Sequence, residues 1–203
     1  MTTFEELAPR PLDPRLLALD GISRVTMEAH HRLYSGYVAK RNEIVRALES
    51  VDRDGVSPVY STLRELKVAL SFAVGAIKNH EVYFAHLGGE GGDPGGAFGH
   101  LVQRDFGSVG RWRDDLRATS LAARGWAWTA YDWDEGRLLN LIGDSQNTFP
   151  IWNATPLVAV DVHEHAYVID YQTDRAGYLD AFFANLDWAA VNGFVAYYGI
   201  PST

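Results

Sequence analysis

From about Val25 to Ser50 the positions Met27, His30, Tyr34, Tyr37, Ile44 and Leu48 recur at three-four spacing and share one helical face. Asp52-Arg53-Asp54-Gly55-Val56-Ser57-Pro58 reads as a turn. A second long helix is predicted over about Val59 to Leu87, with a stripe of Leu63, Leu66, Leu70, Ala73, Ile77, His80, Phe84 and Leu87. Two long helices joined by a short turn predict an antiparallel hairpin. Gly88-Gly89-Glu90-Gly91-Gly92-Asp93-Pro94-Gly95-Gly96 cannot continue a helix and is expected to be a flexible linker at a domain boundary. Short helices follow over about 97 to 105 and 108 to 123, with Ser108 as an N-cap. The period then changes to that of strands. Gly125 to Tyr131 and Arg137 to Ile142 form a hairpin around Asp134-Glu135-Gly136, and about Leu157 to Val162 is a third strand. Helices resume at about Arg175 to Asn185 and Trp188 to Tyr198. The expected class is α+β. An N-terminal strap and helical hairpin domain (1–90) precedes a C-terminal domain (91–203) with a small three-stranded antiparallel sheet and surrounding helices.

The first 20 residues carry Pro9, Pro11 and Pro14 and predict an irregular strap. Met1 to Leu7 shows neither a basic n-region nor an apolar h-region, and no run is long enough to span a membrane. A cytoplasmic protein is therefore expected. Asn153-Ala154-Thr155 fits a glycosylation sequon, which has no meaning without secretion.

Composition narrows the chemistry. Of 203 residues, 47% are apolar, enough for a real core. The net charge of −8 leaves no basic excess for nucleic acid or an anionic membrane. Cysteine is absent, so any metal must be held by His, Asp or Glu.

Those residues converge on Val158-Ala159-Val160-Asp161-Val162-His163-Glu164-His165-Ala166-Tyr167. The apolar run reads as a buried strand, and its end places Asp161 and His165 four apart. Carboxylate and imidazole together suit Mn, Fe or Zn. This pair alone is a weak signal. His30 and His80 strengthen it, because each sits on the apolar stripe of its helix, pointing into the space between hairpin and cover. A lone His there is more often a hydrogen-bonded core residue than a ligand. Three imidazoles and one carboxylate form a set suited to redox-active Mn or Fe between two domains.

Five blocks carry a resemblance: Thr26-Met27-Glu28-Ala29-His30-His31, Asn79-His80-Glu81-Val82-Tyr83-Phe84, Arg104-Asp105-Phe106-Gly107-Ser108, Gly125-Trp126-Ala127-Trp128, and Asp161-Val162-His163-Glu164-His165-Ala166-Tyr167. In this order and spacing, from about residue 25 to 190, the chain resembles the iron/manganese superoxide dismutases. The resemblance implies disproportionation of superoxide by one Mn or Fe ion per subunit. His30, His80, Asp161 and His165 match the four metal ligands. Trp126 matches an aromatic wall of the metal pocket. Gln146 matches the amide that contacts solvent on the metal. Its place after the second strand looks like the manganese type, since the iron type would have Gln at the position of Ala76. Glu164 matches a residue that reaches the ligand His of a neighbouring subunit, so a homodimer or homotetramer is implied. Arg175 matches a cation near the substrate funnel.

Four departures accompany these matches. His163 stands where the family usually has Trp, and is expected to pack, with a modest effect on the metal. The family places a His four residues after the first ligand and a gateway Tyr eight after it. This chain has Tyr34 at the first place and looks one residue shorter before Tyr37. We read Tyr37 as the gateway phenol and Tyr34 as the replacement for the His; the reverse remains open at this stage. Val168 stands where the family pairs a Tyr with that missing His across the dimer. Asp174 replaces a frequent Arg, which weakens electrostatic guidance of an anion. These departures motivate one alternative, a dismutase-like metal-binding protein with weak or no turnover. A zinc hydrolase using Glu164 as base is a poorer reading, because His-Glu-x-x-His spacing is absent.

Overall fold

The computed structural model describes residues 4–147 and 151–202, so the first three residues of the predicted strap lie outside it. Among the described residues the helices are α1 (Arg24–Ser50), α2 (Thr62–Ala85), α3 (Gly96–Phe106), α4 (Val109–Ala122), α5 (Val168–Tyr171), α6 (Arg175–Ala184) and α7 (Trp188–Tyr198). The strands are β1 (Trp126–Asp132), β2 (Arg137–Gly143) and β3 (Ala154–Asp161). The architecture is α+β, as expected.

The helices begin where the side chains allow. Ser23, Ser61 and Ser108 each accept a hydrogen bond from a backbone N–H of the first turn of α1, α2 and α4. Asp187 caps α7 by accepting from the N–H groups of Ala189 and Ala190, and its other oxygen accepts from Arg15 at 3.1 Å. Asp187→Ala removes both contacts and is expected to cost about 1 kcal/mol. A fall in the chemical denaturation midpoint at constant slope would show it; an unchanged midpoint would mean the cap carries nothing.

α1 and α2 run antiparallel: His30 meets His80 near one end, and Ile44 and Leu48 cluster with Ala73 near the other. The sheet order is β2-β1-β3, all antiparallel. α2 and α7 pack on β3, and α4 packs on β1 and β2. One apolar core joins Met27, Tyr83 and Leu87 to Trp126, Val158, Phe182 and Val191.

The structure corrects the pattern in four places. The strap contains a 3-10 turn at Pro14–Ala18, begun by Asp13 as cap with Pro14 at the first position. β3 starts at Ala154 rather than Leu157. Thr129 pairs with Val158 and Ala130 with Pro156, so Leu157 is the extra residue of a bulge. A proline is tolerated there because β3 is an edge strand. The glycine run is not a flexible linker. Gly88 and Gly89 donate to the Asn185 carbonyl, and Gly91 donates to that of Leu186. A Cβ on Gly89 would lie 2.5 Å from the Asp187 Cα, so the run must be glycine to dock on the α6–α7 junction. Finally, two short elements that the pattern did not predict follow β3, a 3-10 turn at Glu164–Ala166 and α5.

Candidate metal centre

The centre forms where the end of β3 meets the α1–α2 hairpin. Trp126 pairs with Asp161, and the Val162 N–H extends the ladder by donating to the Gly125 carbonyl. The chain then turns back on itself. Asp161 Oδ1 accepts from the His163 N–H at 3.0 Å, a side-chain turn of the kind aspartate favours. The N–H groups of Ala166 and Tyr167 close the 3-10 turn onto the carbonyls of His163 and Glu164. This fold-back returns His165 to Asp161. Tyr178 donates to the Asp161 carbonyl at 2.8 Å and anchors the corner from α6.

Asp161 Oδ2 is the meeting point. His30 Nε2 lies 3.1 Å from it, His165 Nε2 3.0 Å and His80 Nε2 3.6 Å. One donor atom from each of these four residues lies within 4.8 Å of every other. His30, His80 and Asp161 are fully buried, whereas the His165 side chain is 28% exposed, which leaves one open side. His80 Nδ1 donates to the Ala76 carbonyl at 2.6 Å. That bond sets the tautomer and leaves the Nε2 lone pair aimed inward, where it has no hydrogen-bond partner.

Burial pulls the His30 imidazole below its ordinary value and pulls His80 down to about 3, with repulsion from His30 adding to the second. Burial alone would raise the Asp161 carboxyl. The rings of His165, His163 and His30 outweigh it and hold Asp161 well below the usual carboxylate range. Neutral imidazoles around an ionised carboxylate are the state a cation requires. Donors about 2.1 Å from one ion stand roughly 3–3.6 Å apart, the range in which the three imidazole nitrogens lie from Asp161 Oδ2. The donor set, the inward lone pair and the separations therefore fit Mn or Fe.

An aromatic wall surrounds the cluster. Trp126 meets His80 edge-on with centroids 5.2 Å apart, and Phe84 and Tyr83 flank His30. Trp126 Nε1 donates to Gln146 Oε1 at 3.0 Å. Because an indole N–H only donates, the amide oxygen of Gln146 faces Trp126 and its nitrogen is turned the other way. Burial, then the Asp161 charge, pushes the Tyr37 phenol up.

Tyr34 and Tyr37 are sorted by their partners. Tyr34 stacks over His80 with centroids 6.3 Å apart, but its hydroxyl donates to Glu81 and accepts from the Arg10 N–H. Tyr37 lies closer to His80, with centroids 5.6 Å apart, and its phenol feels the Asp161 charge and the Gln146 amide. His163 sits beside the cluster: its Nδ1 lies 2.9 Å from Asp161 Oδ1 and its ring stacks on His165. Glu164 is exposed on the same turn. Arg175 stands apart from the cluster. It donates to the Ala123 carbonyl at 2.7 Å, and its guanidinium lies 5.7 Å from the Tyr167 ring centre.

Sequence reasoning missed three buried neighbours. Tyr83 packs on His30 and was accessible in principle, three residues after His80 on the same helix. Tyr178 and His86 carry no local signal; their partners, the Asp161 carbonyl and the Ala159 N–H, are distant in the chain.

Comparison with known proteins agrees with this geometry. Residues 94–193 match the family described as "Iron/manganese superoxide dismutases, C-terminal domain". The "Superoxide dismutase [Fe]" of Aquifex aeolicus is 38% identical over 179 residues, covering 86% of this chain and 84% of that protein. The "Superoxide dismutase [Mn] 1" of Halobacterium salinarum is 33% identical over 184 residues, covering 90% of each. With relatives of both metals aligned along most of its length, and four donors gathered on one carboxylate oxygen, this chain belongs to the iron/manganese superoxide dismutase family.

Proposed function

We propose that this protein disproportionates superoxide, converting two superoxide ions and two protons to oxygen and hydrogen peroxide. The observation that carries the reading is the convergence of His30, His80 and His165 on Asp161 Oδ2, with the His80 lone pair inward and unpartnered. Bound Mn or Fe supplies the redox chemistry by cycling between trivalent and divalent states. We assign Mn as the working ion, on the position of Gln146 after β2 and of Ala76 on α2.

The remaining residues position, exclude and deliver. Trp126, Phe84 and Tyr34 keep bulk water from the buried faces of the ligand rings. The indole of Trp126 holds the Gln146 amide by its oxygen, which leaves the amide N–H groups to donate to solvent in the site. The raised Tyr37 phenol keeps its proton at neutral pH and relays protons at Oη, giving one up as peroxide forms and taking another from solvent on its exposed side. The open side at His165 admits the small anion.

A second copy of the chain would cover part of that side. Glu164 is exposed, the exposed apolar Val168 and Ile169 follow it within five residues, and Val25 is exposed on α1, the helix that contacts the Glu164 turn. We assign this surface to a homodimer, with Glu164 reaching the partner's site. Sedimentation velocity on Glu164→Ala should show a weakened dimer; a wild-type monomer at micromolar concentration would sink the assignment.

The test of function is the dismutation rate per mole of bound metal, with Mn and Fe loaded separately. Fast turnover with Mn is expected. Stoichiometric metal with negligible turnover in both forms would favour the inactive metal-binding alternative. Gln146→Leu, which leaves Trp126 Nε1 without its acceptor, should retain metal and lose roughly 10–100-fold in rate. An unchanged rate would remove Gln146 from the mechanism.

A further inference from the structure

The geometry points to His163 as a positioning residue that holds Asp161 in a one-oxygen binding mode and sets the electron richness of that carboxylate. This inference rests on the metal centre proposed above.

The two oxygens of Asp161 have separate partners. Oδ2 faces the three ligand imidazoles at 3.0 to 3.6 Å. Oδ1 is taken by one residue twice, by the His163 N–H at 3.0 Å and by His163 Nδ1 at 2.9 Å. His163 is not one of the four donors, so its Nδ1 is free to carry the proton to Oδ1, and both bonds run towards that oxygen. Together they fix the carboxylate rotation and keep Oδ1 from turning to the ion.

The ring itself is fixed. It lies nearly parallel to His165, with centroids 5.0 Å apart and 13° between planes. Trp126 meets it edge-on at 6.0 Å. A Cβ on Gly125 would lie 2.9 Å from His163 Cε1 and Nε2, so the glycine makes room for the imidazole. A residue that only packed would need none of the aim of Nδ1.

A hydrogen bond to the far oxygen draws electron density from the carboxylate and weakens its donation to the ion. That disfavours the trivalent state relative to the divalent one. His163 therefore raises the midpoint potential of the centre as well as orienting a ligand. An outer-shell partner of this kind is worth roughly 10–100-fold in metal affinity.

Two variants separate donation from packing. His163→Phe keeps a flat ring against His165 and cannot donate. His163→Asn lacks the stacking ring and places an amide N–H where Nδ1 was. Mn affinity would be measured by competition with a chelator, and the midpoint potential by redox titration of the Mn-loaded protein. The Phe variant is expected to bind Mn roughly 10–100-fold more weakly and to show a lower potential. The Asn variant is expected to recover both towards wild type. An unchanged affinity and potential in the Phe variant, or an Asn variant that falls with it, would overturn the inference. Should the Phe chain fail to fold, His163→Ala carries the same comparison against Asn. Wild-type protein that takes up neither Mn nor Fe would overturn the metal centre itself, a different result from wild-type uptake with an indifferent Phe variant.

Discussion

His80→Ala is expected to reduce bound Mn or Fe from one per chain to near zero, and dismutation with it. The imidazole is fully buried, its tautomer is set by the Ala76 carbonyl, and its inward nitrogen has no protein partner. Its loss leaves two nitrogens and one oxygen around a space with no water-facing replacement. The effect should therefore exceed the roughly 10–100-fold that an outer-shell partner is worth. The metal-free fold should survive, because a buried nitrogen left unpaired costs about 1–3 kcal/mol that the alanine no longer incurs, offsetting part of the cavity. Thermal melting provides the second readout. Metal at 1,000 times its dissociation constant stabilises wild type by about 4 kcal/mol, and the variant should gain nothing. A variant that kept one metal per chain would remove His80 from the ligand set.

The metal-free protein should lose stability steeply as pH falls from about 6.5 to 4. His86 is fully buried; its Nε2 accepts from the Ala159 N–H at 2.9 Å and its Nδ1 is unpartnered. Burial pulls it from the ordinary 6.5 to about 4. The sign follows from proton uptake. Below 6.5 the unfolded chain gains a proton at this ring while the folded chain does not, so acid favours unfolding until the folded ring titrates. The contribution is complete above 6.5 and lost as pH falls through about 4, a loss of about 3 kcal/mol. His80, pulled to about 3, acts in the same direction over a slightly wider window. Asp161, held well below its ordinary value, adds a loss at still lower pH as its carboxyl protonates. Against the 5–15 kcal/mol typical of a domain, these terms are large. Urea denaturation at pH 7.5 and 5 would show them, and His86→Gln, which can still accept from Ala159, should flatten the slope. Equal stability at the two pH values would contradict the burial of neutral imidazoles.

The periodic elements were legible because their signals are local. α7 begins and ends at the predicted residues, and Ser108 caps α4 as its position implied. His30 and His80 stood out because a polar ring interrupts each apolar stripe. The glycine run and the start of β3 were misread for one reason: each depends on distant backbone. Docking on Asn185 and Leu186 makes a linker-like composition rigid, and the edge position makes Pro156 acceptable within a strand.

Tyr34 and Tyr37 mark the limit. Four and seven residues after His30, both share its face, so helical spacing cannot separate them. Their surroundings do: Glu81 and the Arg10 N–H take the Tyr34 hydroxyl, whereas Tyr37 lies beside His80. His163 is the same case, since an imidazole two residues from Asp161 becomes a donor to its carboxylate only through the turn that follows β3.

By itself the sequence determined the helical hairpin, the small sheet and the family, and it singled out the four side chains that the fold gathers, because periodicity and motif order are written within short stretches of chain. Only the tertiary structure decided that the His30 and Asp161 side chains, 131 residues apart, meet at 3.1 Å. It also decided which phenol Glu81 takes and which carboxylate oxygen His163 takes. Such contacts form when separate elements pack into one core, and no local pattern encodes the angle at which they do so.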